Sequence, residues 1–417
     1  MTAATTEATE TVEQFRLRVR QWLAAHVPLK TPDERFLQWD DEGVARDRSI
    51  QRSLWEGRIA GVTVPVEYGG LGLSAAHQQA FREEAGAYRM PEDYGNAFNV
   101  VLPTMLAHGS EALKKEFVPH ILNGDHIWCQ LLSEPSGGSD LAGVLTRATR
   151  DGDTWVLNGA KIWTTGGHRC DYGICLARTN PEAPKHAGLT MFVVPMNSQG
   201  MTVLPLKLTD GTADFCQEFI DGVSIPAHYV IGDVDYGWTV ATTLMQNERT
   251  ALGRGWSLGG RQGESEDRGI ELDLDLLELA RDAGRDRDPH VRALIGESWV
   301  LNAVQFQMVK RVGAAMRSGE LPGPAAALLR GMSGLTGVRL GEIALEVAGS
   351  RAAAWQKGDT SRWGHRRLSS HAIGGGTLEM SRNAVGERLL GLPREPGPDR
   401  DLPFNQLRQN ATVARKP

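Results

Sequence analysis

Cysteine is scarce in this chain: Cys129, Cys170, Cys175 and Cys216 are the four in 417 residues. None forms a Cys-x-x-Cys pair or interleaves with histidine, which excludes a structural zinc site and a small disulfide framework. They read as reduced, mostly buried thiols. Long apolar runs are also missing. No segment reaches the roughly 18 consecutive apolar residues of a membrane helix, and residues 1–11, rich in Thr, Ala and Glu, lack a basic-plus-apolar signal pattern. The expected location is cytoplasmic. There is no basic excess: 45 Lys and Arg stand against 51 Asp and Glu, a net charge of −6, which argues against nucleic acid or an anionic membrane as partner. No Gly-x-Gly-x-x-Gly lies between a strand and a helix, so a Rossmann nicotinamide site is unsupported. The glycines at 374–376 lack the lysine that a Walker loop requires.

The composition that remains, 41% apolar and 23% charged, is ordinary for a globular protein, and the length suggests two or three domains. The chain divides by periodicity. Residues 1–122 read as a helical domain. Phe15, Val19, Trp22 and Leu23 share a helical face, Pro28 lies where that helix should stop, and Pro65 to Gly72 is a turn-rich loop. Residues 123–236 read as a β domain, a small barrel or sandwich of short apolar runs with turns expected at Asp151-Gly152 and Asn158-Gly159. Residues 237–417 return to helical spacing. There Val300, Val304, Met308 and Val312 predict a buried stripe on a long helix, and the polar stretch from Arg261 to Pro289 predicts a solvated connection with one short helix over 274–280.

Three stretches hold residues suited to chemistry. In Trp128-Cys-Gln-Leu-Leu-Ser-Glu-Pro-Ser-Gly-Gly-Ser-Asp140 a strand runs into a hydroxyl, a proline and two glycines, a group of small donors that suits a polar ring edge or a phosphate. Asn158-Gly-Ala-Lys-Ile-Trp-Thr-Thr-Gly-Gly167 sets a large flat side chain beside two hydroxyls, which could cover one face of a planar cofactor. Ile373-Gly-Gly-Gly-Thr-Leu-Glu379 permits close backbone approach ahead of a helix N-terminus that favours anions. Taken singly, the first reads more readily as an ordinary turn and the second as a core tryptophan, while the third reads equally well as a plain glycine-rich turn between helices.

Together they are recognisable. The order Tyr-Gly-Gly-Leu-Gly (68–72), Ser-Glu-Pro-x-x-Gly-Ser-Asp (133–140), Asn-Gly-x-Lys-x-Trp-x-Thr (158–165) and Gly-Gly-Thr-x-Glu (375–379) resembles the acyl-CoA dehydrogenase family from about residue 12 to 395. The resemblance implies a mainly α protein with a central β domain: an N-terminal helical domain, a β-barrel or sandwich, and a C-terminal four-helix bundle, with FAD between the last two. It implies that Leu132 and Ser133 bond the flavin ring edge, that Trp163 and Thr165 line it, and that Gln130, Gly376, Thr377 and Glu379 complete the cofactor set, the last two towards the adenosine. Ser139 would lie near the CoA phosphates, Arg249 near the thioester or CoA arm, and Gly375 beside substrate.

The implied reaction is α,β-dehydrogenation of an acyl-CoA thioester, with electrons passed to an electron-transferring flavoprotein. It needs a carboxylate base and donors for the thioester oxygen. Many members place that glutamate directly before Gly-Thr; here the position is Gly375, with no side chain. A second family solution puts it on the first bundle helix, one residue before an arginine, and Met245-Gln-Asn-Glu-Arg-Thr250 matches, giving Glu248 as the expected base. Gly375 also hints at branched, long or cyclic acyl groups, such as a sterol side chain. Where the family carries Gln-x-x-Gly-Gly for a neighbouring subunit's cofactor, this chain has Glu346-Val-Ala-Gly-Ser350, and Arg292 is a poorly placed match for the family's arginine on the second bundle helix. A homodimer or homotetramer is expected, or a hetero-oligomer. Two competing functions stand beside the first: an oxygen-using flavin oxidase or monooxygenase on the same fold, and a non-catalytic partner subunit.

Overall fold

A computed structural model describes residues 10–30, 41–209, 211–254, 274–354, 372–394 and 401–407. Among the described residues five helices come first: α1 (Val12–His26), α2 (Asp41–Glu56), α3 (Ala75–Ala85), α4 (Leu102–His108) and α5 (Glu111–Leu122). The predicted face of α1 is buried at Phe15, Val19 and Leu23, and Thr11 caps the helix in a reciprocal capping box with Gln14. A π-helical turn, Ala97–Val101, leads into α4. Such turns interrupt the regular ladder and are frequent beside functional sites.

Eight strands follow: β1 (Trp128–Leu131), β2 (Arg147–Asp151), β3 (Thr154–Thr165), β4 (Tyr172–Arg178), β5 (Leu189–Pro195), β6 (Met201–Leu206), β7 (Phe215–Pro226) and β8 (Val230–Ile231). They pair in the order β6-β7-β3-β2-β4-β5-β8, with β1 parallel to β4. Only Arg147↔Arg178 joins β2 to β4, so the sheet folds over at that seam. The resulting sandwich core takes Trp155, Leu157, Ile220 and Val223 from one half and Leu131, Cys175, Phe192 and Val194 from the other. The alternate residues of β4 and β5, Ile174, Leu176, Met191 and Val193, face the helical core with Phe117, Trp128 and Leu244. Burial on both faces explains why these strands read as unbroken apolar runs.

The last helices are α6 (Gly237–Arg254), α7 (Leu274–Asp282), α8 (Pro289–Ser318), α9 (Ala326–Ala348) and α10 (Leu378–Arg388), with α9 packed against each of the other four.

Three expectations change. Asn158-Gly159 is not a hairpin turn, because β3 runs through it; the Asn158 side-chain oxygen instead accepts from the Gly222 amide at 2.9 Å, beside an irregularity in the β3–β7 pairing. Val300 and Val304 are 51% and 46% exposed, so the predicted stripe on α8 is buried only towards its far end, at Val312, with Met308 half-buried. The helix also buries Val291, Leu294 and Ile295, against α7 and α9. The short helix at 274–282 is present but not merely solvated, since Leu276, Leu279 and Ala280 enter that same core. Residues 261–273 of the expected connection lie outside the described residues.

Candidate active site

β1 and β3 converge where the first two motifs meet. The Ser133 carbonyl, just past the end of β1, accepts from the Ile162 amide at 2.9 Å. Beneath this contact Lys161 donates to Glu134 Oε1 at 2.9 Å, to the Leu132 carbonyl at 3.0 Å and to the Leu176 carbonyl at 2.7 Å. Glu134 also accepts from the Leu145 and Thr146 amides. Burial pushes the Glu134 carboxyl up, but Lys161 and these donors outweigh it and hold the group below its ordinary value.

Trp163 follows from that register. Ile162 pairs with Gln217 and Thr164 with Cys216, leaving Trp163 as the extra residue of a β-bulge, with φ of 66°. Bulges re-aim a side chain, and a bulky residue in the left-handed region persists only when its surroundings fix it. The ring is turned out of the sheet, 56% exposed, so the core-tryptophan reading fails. Thr165 is exposed as well, whereas Thr164 is buried and donates to Glu218 Oε2 at 2.7 Å. Thr165 borders a crevice shared with Asn96, Trp128 and the Asp93–Arg169 ion pair, whose N···O separation is 2.9 Å.

Gln130, on β1, donates to Asn96 Oδ1 at 2.8 Å, and its own buried Oε1 has no partner among the described residues. A Cβ added at Gly138 would stand 3.2 Å from Ser133 Oγ, so the glycine keeps that hydroxyl uncrowded. An outward aromatic, exposed hydroxyls and a buried acceptor without a partner fit a flat ring with a polar edge. Ser139 is exposed on the same turn, next to Asp140, which pairs with Lys185 at 2.6 Å.

A second group forms in the bundle. On α6, Val240, Ala241, Leu244 and Ala251 are buried, and Glu248 falls four residues after Leu244, on the same face. The helix is fixed beside it by Asn247, which donates to Thr104 Oγ1 of α4 at 3.1 Å. Glu248 itself is half-buried. Burial pushes its carboxyl above the ordinary glutamate value against the opposing pull of Arg249 and Arg330. Burial also pushes the Arg249 guanidinium down, and Arg388 adds to that, while Glu248 opposes it.

Arg330, on α9, is a residue that the motifs did not point to. It is 7% exposed, and its Nε donates to the Gly374 carbonyl at 2.8 Å. An arginine set between Leu329 and Gly331, in the small and apolar first half of α9, is the signal that could have found it. Gly375 and Gly376 continue that turn with φ of 70° and 99°, and Thr377 caps α10, its hydroxyl accepting from the Met380 amide at 3.2 Å. Glu379 lies exposed in the first turn of α10, its carboxyl lowered by its own backbone amide and by Thr377.

The structure thus gathers the predicted residues into two groups. Gln130, Leu132, Ser133, Trp163 and Thr165 lie around the β1–β3 junction; Glu248, Arg249 and Gly375 to Glu379 lie in the bundle. Arg292 is exposed on α8, and Glu346 is engaged within the chain by Arg339 at 3.5 Å and His290 at 3.4 Å.

Helices, then a β sandwich, then a helical bundle, with an outward tryptophan on the sandwich and a half-buried glutamate on the first bundle helix, define a class that comparison with known proteins identifies. The chain belongs to the acyl-CoA dehydrogenase family: residues 9–125, 129–222 and 235–390 match the models of its N-terminal, middle and C-terminal domains. Membership makes it an oxidoreductase and implies FAD. It is 34% identical over 398 residues to acyl-CoA dehydrogenase IpdE1 of Mycobacterium tuberculosis (strain ATCC 25618 / H37Rv), covering 92% of this chain and 98% of that protein. Acyl-CoA dehydrogenase FadE29 of the same organism is 32% identical, over 92% and 97% of the two chains. Among solved structures, the Tcur3481-Tcur3483 steroid ACAD superposes with a TM-score of 0.73 at 28% identity, over 92% and 98%. The ChsE4-ChsE5 complex of Mycobacterium tuberculosis gives 0.65 at 25% identity, over 94% and 100%. No helix among the described residues is long and apolar enough to cross a membrane.

Proposed function

We propose that this protein catalyses FAD-dependent α,β-dehydrogenation of an acyl-CoA thioester, with Glu248 as the base that removes the α-proton. The observation that carries the reading is Glu248 itself, a half-buried carboxylate in line with buried Leu244 on the packed face of α6, with Arg249 and Arg330 as its counter-charges. In the step Glu248 performs, its carboxylate takes the proton from Cα and the Cα–H electron pair passes into the forming Cα=Cβ bond. When bound, FAD supplies the acceptor for the hydride leaving Cβ. Leu132 and Ser133 at the end of β1 orient the ring edge, while Trp163 and Thr165 cover it. Gln130 completes that wall. Gly376, Thr377 and Glu379 hold the adenosine side, Ser139 and Arg249 hold the CoA arm, and Gly375 leaves space beside the acyl group.

That missing side chain, together with the likeness to a steroid ACAD, supports a bulky, ring-containing or branched acyl group as substrate. Electrons then pass to an electron-transferring flavoprotein. The engagement of Glu346 by its own chain, and the two-component naming of both solved relatives, support assembly with a different chain rather than with copies of this one. Glu248→Gln is the test. The variant keeps its FAD, and its flavin stays oxidised when acyl-CoA is added without air; bleaching at the wild-type rate would remove Glu248 from the mechanism. Rapid reoxidation of the reduced wild type by air would instead favour an oxygen-using enzyme.

A further inference from the structure

α9 packs against both α6 and α10 and carries a buried cation, Arg330. Arg330 donates from Nε to the Gly374 carbonyl at 2.8 Å, and it is 7% exposed. The next two residues of that turn, Gly375 and Gly376, are both left-handed. Without Cβ atoms they restrain the backbone little, so a directed bond from a fixed helix has a large share in deciding where the turn sits. The turn in question is the one that carries the catalytic glutamate in many relatives and here carries none.

The guanidinium that holds the turn also acts on Glu248. Among the described residues, the groups that act on that carboxylate are Arg249, from its own helix, and Arg330, from α9. Arg388 of α10 acts on Arg249, and His108 of α4 reaches α6 at Thr243, 2.8 Å away and five residues earlier. Arg249 is adjacent in sequence to Glu248, and neighbouring helix positions point in different directions. Arg330 comes from a separate helix, so its place does not depend on the local rotation of α6. Burial disfavours an ionised carboxylate and a nearby cation favours it. A base must be ionised to accept a proton.

We propose that Arg330 is a positioning residue for proton abstraction: it fixes the Gly374–Gly376 turn against α9 and sets its positive charge to favour the ionised Glu248 carboxylate. The proposal rests on Glu248 being the base. It gives this chain a division of labour. The turn no longer supplies a carboxylate but is tied, through one arginine, to the helix that does.

The test uses the FAD-loaded protein as wild type, Arg330→Gln, Arg330→His, Arg330→Lys and Glu248→Gln. Each is mixed anaerobically with the acyl-CoA that best reduces the wild type, and flavin bleaching is timed from about pH 6 to about pH 9. In the wild type the rate rises with pH along an acid limb. Arg330→Gln moves that limb to higher pH and slows bleaching at neutral pH by roughly tenfold, with FAD content unchanged. Arg330→Lys keeps the charge and returns the limb towards its wild-type position. Should Arg330→Gln fail to hold FAD, Arg330→His serves in its place, because its imidazole is neutral over most of the range yet still carries a donor; its limb must also lie above that of the wild type. A neutral variant whose limb stays in the wild-type position, whether or not its rate falls uniformly, overturns the proposal and leaves Arg330 as a structural tie. Glu248→Gln separates the two ideas. If that variant bleaches at the wild-type rate, the base assignment fails whatever the Arg330 variants do.

Discussion

Lys161 Nζ lies 2.9 Å from Glu134 Oε1, and the two side chains are 0% and 3% exposed. This pair joins the Ser-Glu-Pro turn to the tryptophan strand, so the two motifs behave as one unit. Removing a single partner from a buried pair leaves an uncompensated charge, which typically costs about 3–5 kcal/mol. Glu134→Ala and Lys161→Ala are therefore expected to lower the melting temperature sharply and release FAD together. The double substitution Glu134→Leu with Lys161→Met is expected to recover much of the stability. Thermal unfolding with flavin absorbance as a second probe checks this, and independent effects of the two single changes would contradict it. The sign with pH follows from Glu134, whose folded-state value lies below the ordinary 4.5. Its contribution is complete above that ordinary value and is lost as pH falls through the folded-state value.

Much of this arrangement was legible in the sequence. The order of helices, strands and helices follows from periodicity, and β4 and β5 announce themselves as apolar runs because both their faces are covered. What stayed hidden depended on register. Asn158-Gly159 has turn chemistry, but pairing with β7 on one side and β2 on the other holds it in strand. Trp163 could be read as core or as site, and only the bulge between Ile162 and Thr164 decides which. Val300 and Val304 repeat at helical spacing, yet periodicity cannot say what covers an apolar face. Arg330 escaped because its partner, the Gly374 carbonyl, is brought close only by tertiary packing.

Trp163 carries a cost that can be separated from its use. A left-handed backbone at a non-glycine residue costs of order 1 kcal/mol. Trp163→Gly relieves that strain and removes the ring, whereas Trp163→Ala keeps the strain and removes the ring. Both variants are expected to hold less FAD per chain than the wild type, with the flavin-free Gly variant unfolding at higher temperature than the flavin-free Ala variant. Equal FAD content in all three proteins would show that the ring does not cover the flavin.

Glu218 sets an opposite pH dependence near the same loop. Burial pushes its carboxyl up to about 7, while Thr164, a backbone amide and Lys161 pull it down. Because the folded-state value lies above the ordinary one, the folded state holds a proton that the unfolded chain has already lost, and stability falls as pH rises from 4.5 to about 7. Glu218→Gln removes the ionisation and still accepts from the Thr164 hydroxyl. It is expected to stabilise the protein above neutral pH by up to about 3 kcal/mol, with little gain in acid. Parallel melting curves of the two proteins across pH would contradict the account.

Glu248 makes a kinetic counterpart. Its raised value means that proton abstraction weakens in acid at a higher pH than a solvent-exposed glutamate would permit. Glu248→Asp keeps the charge but shortens the side chain, and it is expected to reduce flavin more slowly by about a hundredfold or more. A rate within a few-fold of the wild type would argue that the base lies elsewhere.

The central claim is tested most directly by an anaerobic spectrum of the purified protein titrated with a panel of acyl-CoAs, from short straight chains to branched and ring-containing ones. The account predicts a yellow protein whose flavin absorbance bleaches, most completely with the bulky thioesters, and whose Glu248→Gln variant stays yellow. A colourless protein, or a flavin that no acyl-CoA reduces, would contradict it.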